Sequence, residues 1–468
     1  MKTRIPFCVL TISLLFGLIS GCTNVGVTQA PNEIRTDDTS QLQNTPVSST
    51  LSIDSTDIQT QQITTTEATQ NSQWQSNWLH FGIDNQFSSY KTDELQISKE
   101  NISNLEFISG SGCNDAGFTI IGGTPSTYRG QMILTYAGGN LEVGDPYTDK
   151  LDWSFGKLAL GWAPPPVVST DGIVYFLYVT SDASSLLFAV DLKSQQQLWE
   201  SIAQFKTGFN FDSQVTVDEK NGQIYVIEGD FGNGRLFGID RATGEILWFI
   251  GEKSEDEGAT FVGTIVPIKD DKLFVTARIK EDYGKPRRSV KVDPLTQQIE
   301  MTYDHPDEIT SSWDVGWNGL CNDNLYSTYQ NNSQRKATLL AANSIDQPDI
   351  TWQATIPAQT GRFACDSKQS ILYVPTEKGL LALDAQTGAP IWQFLSPDSV
   401  FTPTIANGII YFTSGSNMIA LDQDDGSVLF RYPLGIMADP STGVAINDGL
   451  VIFSGSGGTC DLYVLGLK

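Results

Sequence analysis

One spacing recurs along most of this 468-residue chain and limits its fold more than any other feature. In ALDAQTGAPIW, from Ala382 to Trp392, a small residue is followed two places on by an acid, then by Thr387-Gly388, and ten places on by tryptophan. The pattern returns as VGDPYTDKLDW (Val143 to Trp153), AVDLKSQQQLW (Ala189 to Trp199), GIDRATGEILW (Gly238 to Trp248) and ALDQDDGSVLF (Ala420 to Phe430). Weaker copies keep the spacing in KVDPLTQQIEM (Lys291 to Met301) and in AANSIDQPDITW, where Ala342 leads to Trp352. LYVLGLK, starting at Leu462, begins an eighth copy and stops before its tryptophan.

Each full copy follows a second hairpin of the form PPVVSTDGIVYF (Pro165 to Phe176), and the versions further on include VTVDEKNGQIYV, TIVPIKDDKLFV, CDSKQSILYV, PTIANGIIYF and GVAINDGLVIF. Four strands in a unit of about forty to fifty residues, repeated eight times, describe an all-β chain folded as an eight-bladed β-propeller, with seven blades as the alternative count. The repeat turn has a physical reason. An aspartate such as Asp240 or Asp384 ends a strand with a side chain that accepts hydrogen bonds from the turn, and Gly244 or Gly388 supplies a positive φ without steric cost. The aromatic side chains Trp153, Trp199, Trp248, Trp352, Trp392 and Phe430 are expected to dock blades together, each covering the small residue of a neighbouring blade. Blade eight lacks an outer strand, and Asn104 to Phe107 is a strand without a hairpin partner, so pairing the two closes the ring and removes its exposed edges.

Lys2 and Arg4 precede the apolar run IPFCVLTISLLFGL, which leads to Ile19-Ser20-Gly21-Cys22. The run is too short for a bilayer span and ends in small residues, so it resembles a bacterial lipoprotein signal over residues 1–21, with Cys22 the lipidated first residue of the mature chain. Residues 22–73 are dominated by Ser, Thr, Gln and Asn, and from Thr23 onward they hold no aromatic residue and one basic one, Arg35. Such a segment cannot offset its ordering entropy and is expected to be a tether with a reach of about 40 Å. The propeller domain is expected over 74–468. Removing the signal takes the formal charge from -25 to about -27, which argues against nucleic acid and anionic headgroups as direct ligands. The chain is expected to be extracytoplasmic, held to the cell membrane or an outer membrane by its lipid, with a monomeric propeller.

With Cys8 in the signal and Cys22 lipidated, Cys113, Cys321, Cys365 and Cys460 remain, four thiols with three possible connectivities in an exported chain. The propeller arrangement selects Cys113 with Cys460, which the closing strand brings to one end, and Cys321 with Cys365, in matching first turns of blades five and six.

The A-x-D-x-x-T-G-x-x-x-W copies resemble the repeats of the pyrroloquinoline-quinone-type β-propellers of the quinoprotein alcohol dehydrogenase superfamily. The segment NWLHFGIDNQFSSY followed by ISKENISNLEF is similar to the N-terminal lead-in of many such propellers. The resemblance spans about Trp78 to Lys468. Enzymes of that superfamily clamp the quinone with a disulfide between adjacent cysteines, bind calcium and use an aspartate base. No two cysteines are adjacent here, and C-x-x-C-H for covalent haem is missing from the sequence. Cofactor-free members include a lipoprotein of the outer-membrane β-barrel assembly machinery, an eight-bladed propeller on a lipid anchor, and this chain departs from it in its long tether and strong acidity.

Other candidate chemistry is sparse. Neither His80 nor His305 has metal or triad partners at a known spacing. GDFGNGRLFG (Gly229 to Gly238) has glycines near phosphate-loop spacing but joins two strands, so it reads as a turn. DQDDG (Asp422 to Gly426) looks like the start of a calcium loop, yet it aligns with the repeat turn and lacks the distant glutamate. ARIKEDYGKPRRS gathers Arg278, Lys280, Lys285, Arg287 and Arg288 around Tyr283 in an otherwise acidic protein, and it is the candidate interface. The expected function is a non-enzymatic interaction scaffold for envelope proteins, without a cofactor. The alternatives are a divergent dehydrogenase using pyrroloquinoline quinone and calcium, or a glycan-binding module in which Trp162, Trp313 and Trp317 line a sugar site.

Overall fold

The computed structural model describes residues 89–110, 124–135, 140–148, 150–156, 165–179, 185–201, 215–230, 233–251, 260–278, 288–307, 309, 313–331, 337–434, 443–455 and 462–467. The chain divides into Met1–Thr66 and Glu67–Lys468, and every described residue falls in the second unit. That unit is an eight-bladed propeller whose blades are each four antiparallel strands, one blade carrying an added parallel strand. From innermost to outermost strand, blade 1 is Ser126–Tyr128, Gln131–Thr135, Leu141–Asp145 and Lys150–Phe155, and blade 2 is Val167–Val168, Ile173–Val179, Ser185–Asp191 and Gln196–Glu200. Blade 3 is Thr216–Asp218, Gln223–Asp230, Asn233–Asp240 and Ile246–Ile250, and blade 4 is Thr260–Ile268, Lys272–Arg278, Arg288–Asp293 and Gln298–Thr302. Blade 5 is Trp313–Cys321, Asn324–Asn331, Ala337–Ser344 and Ile350–Pro357, and blade 6 is Ala364–Asp366, Ile371–Thr376, Gly379–Asp384 and Pro390–Leu395. Blade 7 is Thr404–Ala406, Ile409–Ser414, Asn417–Asp422 and Val428–Pro433, while blade 8 is Ala445–Asn447, Leu450–Ser454, Leu462–Leu467 and the N-terminal Leu105–Ser109.

Burial follows position in the blade. The second and third strands are covered on both faces by neighbouring blades, so Val174 to Tyr178 and Leu187 to Val190 are buried without interruption. Outer strands alternate, as Ile350–Pro357 does, because only one face is covered. Directions alternate too. The first and third turns of every blade therefore share one face, the turn face, while the second turns and the connections between blades share the opposite one, the loop face.

The repeat turn is held as its residues dictate. Asp384 Oδ1 accepts hydrogen bonds from the amides of Gln386 (3.0 Å) and Thr387 (2.8 Å) and from the Thr387 hydroxyl (2.8 Å), and the Gly388 amide returns to the Asp384 carbonyl at 2.8 Å. These bonds, the Thr387 hydroxyl foremost, lower the Asp384 pKa. Gly388 sits at φ 71°, where a side chain is strained.

The small residue at the head of the motif is covered within its own blade, which corrects the expectation from sequence. Ala382 is the cross-strand partner of Trp392 and Gly238 that of Trp248; a Cβ on Gly238 would lie 2.1 Å from the Trp248 ring. What the tryptophan meets in the next blade is the turn glycine. A Cβ on Gly244, Gly388 or Gly426 would stand 2.5 to 2.7 Å from the rings of Trp199, Trp352 and Trp392 of the preceding blade. Those three indoles donate N–H to the carbonyls of Arg241 (3.0 Å), Ala385 (3.0 Å) and Gln423 (3.3 Å) in the same turns. Where the turn has glutamine instead, Gln195 and Gln297 at φ 58° and 59°, this bond is missing. The Trp153 indole nitrogen has no hydrogen-bond partner among the described residues, and Trp248 turns to Gln223 Oε1 at 3.1 Å in its own blade.

Closure uses the N-terminal strand. Leu105–Ser109 pairs antiparallel with Leu462–Leu467, Leu105 opposite Leu467, as the strand count predicts. Blade 8 meets blade 1 through the Gly443 amide, which donates to Thr124 Oγ1 at 2.8 Å, and through the Ser109 hydroxyl, which donates to the Pro146 carbonyl. Cys321 and Cys365, both on innermost strands just before the first turn, form a disulfide between blades 5 and 6 with Cα atoms 5.7 Å apart. Cys22, Cys113 and Cys460 lie outside the described residues.

Candidate interaction surface

The second hairpin of each blade starts level on the turn face, because the first residue of its second strand pairs with the acid position of the repeat: Gln223 with Asp240, Asn324 with Ser344, Ile371 with Asp384, Ile409 with Asp422. Any extra length therefore projects on the loop face. Both hairpin strands run for eight residues in blades 3 and 5 and for six in blades 6 and 7, a difference of about 7 Å at 3.3 Å per residue. The basic loop of the sequence joins the second and third strands of blade 4, which comes between these two blades in ring order. Its ends are Arg278, last residue of the second strand, and Arg288, first of the third; Lys280, Tyr283, Lys285 and Arg287 lie outside the described residues.

The root of that loop is locked to blade 5. The Ser289 and Ser327 hydroxyls share a hydrogen bond of 2.8 Å, and Asn318 Nδ2 donates to Thr276 Oγ1. Arg288 is half-buried beside Tyr329 of blade 5. Burial pushes the Tyr329 hydroxyl well above its ordinary pKa, opposed by a hydrogen bond with Ser327 and by the Arg288 charge. Trp313 begins the innermost strand of blade 5, opposite Asn331, and Trp317 falls in the register irregularity between Val315 and Asn318. Both therefore belong to the innermost strand of blade 5, which starts on the loop face. Trp162 lies outside the described residues.

The remaining sequence candidates resolve as structural groups. His80 is outside the described residues, and His305 Nδ1 donates to the Pro306 carbonyl at 3.0 Å. Gly229 pairs with Gly234 across a hairpin, so the glycine-rich run is a turn. In DQDDG a lysine ammonium stands where a cation would: Lys99 Nζ lies 2.7 Å from Asp422 Oδ1 and 2.8 Å from Asp424 Oδ2. The quinone clamp needs neighbouring cysteines, whereas Cys321 and Cys365 are 44 residues apart and join two blades. The described cysteines therefore do not form that clamp.

Sequence reasoning missed the anchoring of the lead-in segment. Tyr90–Lys91 forms a fifth strand in blade 7, parallel to Thr404–Ala406 at the inner edge. Lys91, 2% exposed, pairs with Asp93 at 2.5 Å. The Glu94 carboxylate, also 2% exposed, accepts from the amides of Gln96 (2.7 Å), Ile97 (3.0 Å) and Gly449 in blade 8 (3.1 Å). Asn407 Nδ2 donates to the Ile97 carbonyl at 2.7 Å. With Lys99, these contacts bind residues 89–104 across the turns of blades 7 and 8. The one signal in the sequence is Ser98 with Asn101, whose side chain caps the Ser98 amide at 2.7 Å.

Residues 337–461 match the family described as outer membrane protein assembly factor BamB. No curated protein matches the chain in sequence. Among solved structures, the chain is similar to BamB from Moraxella catarrhalis (11% identity, TM-score 0.53, 78% of this chain and 100% of that one). It is also similar to a europium-containing methanol dehydrogenase (12%, 0.64, 84% and 98%) and to quinohemoprotein alcohol dehydrogenase from Comamonas testosteroni (13%, 0.57, 84% and 80%). At these identities the likeness is one of fold, which assembly factors and dehydrogenases share.

Proposed function

We propose that this chain is a lipid-anchored, extracytoplasmic propeller that docks another cell-envelope protein on its loop face over blades 3 to 5 and catalyses no reaction itself. The observation that carries this reading is the raised rim. The extra hairpin length of blades 3 and 5 lies on one face, and in blade 4, between them in ring order, the strands that the basic segment joins are fixed to blade 5 by side-chain hydrogen bonds. Arginine and tyrosine on a rigid support are the groups enriched at binding hot spots. In a protein of charge -25, a local basic patch selects a partner surface with carboxylates facing it. The lipoprotein-like start, with Lys2, Arg4 and Cys22, supports the anchor. The matched family's description, an assembly factor for outer membrane proteins, supports a role in envelope protein assembly.

The test is crosslinking in intact cells, then purification of the tagged protein and mass spectrometry of what accompanies it. Stoichiometric recovery of one envelope complex, lost when Arg287 and Arg288 are changed to Glu, is the expected result. Recovery that survives the charge reversal overturns the docking face. Absence of any partner, together with saturable binding of pyrroloquinoline quinone and calcium by the purified protein, overturns the scaffold reading in favour of an oxidoreductase.

A further inference from the structure

Outer strands of a propeller leave one backbone edge unpaired, and proteins guard such edges with charges or proline. Seven outer strands here do so: Lys150 and Asp152 in blade 1, Glu200 in blade 2, Glu300 in blade 4, Pro357 in blade 5, Pro390 in blade 6, Arg431 and Pro433 in blade 7, Glu106 in blade 8. Blade 3 differs. Its outer strand, Ile246–Ile250, reads ILWFI and carries neither.

Nor is this strand hidden. Trp248 faces the core, while Leu247 is 50% and Phe249 52% exposed, with Ile246 beside them. The strand is last in its sheet, and no described strand pairs with its outer edge. A shelf lies alongside: the Phe249 ring is 5.7 Å from that of Phe237, and the Arg235 guanidinium lies over both at 5.0 and 4.9 Å. An open row of backbone donors and acceptors with alternate apolar side chains is the recognition surface for strand addition. The strand's own symmetry permits self-pairing, but the chain's net charge of -25 opposes the approach of a second copy and favours a positive chain, one that must still pass the Arg235 guanidinium on the shelf.

We propose that the outer edge of blade 3 accepts an extended segment of another polypeptide as a fifth strand, and that this segment is apolar at alternate positions and net positive. The site is separate from the loop-face reading and does not depend on it.

The experiment uses the purified full chain and a nine-residue peptide alternating valine with lysine and threonine, in buffer at physiological ionic strength. Binding is followed by fluorescence anisotropy and by hydrogen exchange of the Ile246–Ile250 amides. Expected are saturable binding, at least tenfold slower exchange in that strand, and at least tenfold weaker binding to the Leu247→Lys/Phe249→Lys variant and to the milder Leu247→Thr/Phe249→Thr variant. A proline-interrupted peptide of the same charge and a glutamate-for-lysine peptide are each expected to bind at least tenfold more weakly. Arg287→Glu/Arg288→Glu is expected to leave binding unchanged. Equal binding by the edge variants, or by the proline-interrupted peptide, overturns the proposal. Equal binding of the glutamate peptide overturns the charge assignment, and sedimentation as a dimer abolished by the edge variants overturns the foreign strand in favour of a second copy.

Discussion

The Trp352 indole lies against the backbone of Gly388 in the next blade, so close that a Cβ there would stand 2.5 Å from its ring, and its N–H reaches the Ala385 carbonyl at 3.0 Å. Tyr326 packs on the same indole from its own blade, with centroids 5.8 Å apart, so the ring cannot retreat. Gly388→Ala therefore adds a methyl to a filled site at a positive φ. We expect a loss of about 2–4 kcal/mol from overpacking and backbone strain together, measured as a fall in the urea midpoint. Trp352→Phe, which loses the N–H bond but keeps an aromatic ring, is expected to cost less.

Gln195 points the other way. It holds φ 58° in the glycine position of its turn, and the facing Trp153 indole nitrogen has no described hydrogen-bond partner. Gln195→Gly is expected to stabilise the protein by about 1 kcal/mol by relieving the left-handed conformation. The check is a raised urea midpoint with an unchanged slope.

Acid sensitivity is expected at blade 4. Burial alone would raise the Asp293 pKa, but hydrogen bonds from the Lys272 ammonium and from the Leu295 and Thr296 amides hold it down to about 2. A carboxylate held lower in the folded state than in the unfolded chain stabilises above about pH 4, and that stabilisation fades as pH falls from about 4 toward 2. Lys272→Met is expected to remove part of this dependence, on the order of 1–2 kcal/mol at neutral pH and clearly less at pH 2.5, the remainder disappearing only below the folded-state pKa of about 2. Urea titrations at pH 7 and pH 2.5 decide it.

Cys321→Ser with Cys365→Ser removes a cross-link closing 44 residues. The chain-entropy account gives about 4 kcal/mol for a loop of that size. Non-reducing peptide mapping of the native protein is expected to show this pair, and Cys113 joined to Cys460 as the second one.

Much of the propeller is legible because its signal is local. Asp384, Thr387, Gly388 and Trp392 lie within nine residues of one another, and their hydrogen bonds and cross-strand pairing follow from that spacing. The closing strand was legible by counting, since a blade short of one strand implies another elsewhere. Which surface each tryptophan meets was not legible, because Gly388 docks a ring from position 352, in another repeat. The anchoring of Lys99 to Asp422, across 323 residues, has no periodic trace, and a two-residue strand such as Tyr90–Lys91 is too short to show any alternation. The basic loop is visible as composition, whereas the raised hairpins of blades 3 and 5 follow from strand lengths that become comparable only once the registers are known.

The parallel strand at the inner edge of blade 7 has a mechanical consequence. Tyr90–Lys91 runs beside Thr404–Ala406 in the same direction, so tension on the chain upstream of Ser89 acts along the strand axis. Its short pairing with blade 7, Tyr90 opposite Ile405 and Lys91 opposite Ala406, is then loaded in shear instead of being unzipped. Lys91, Glu94 and Lys99 lie between that pull and Leu105–Ser109, and they shield the closing strand from the load. Force applied ahead of Ser89 is thus taken up at blade 7 before it reaches the strand that closes the ring.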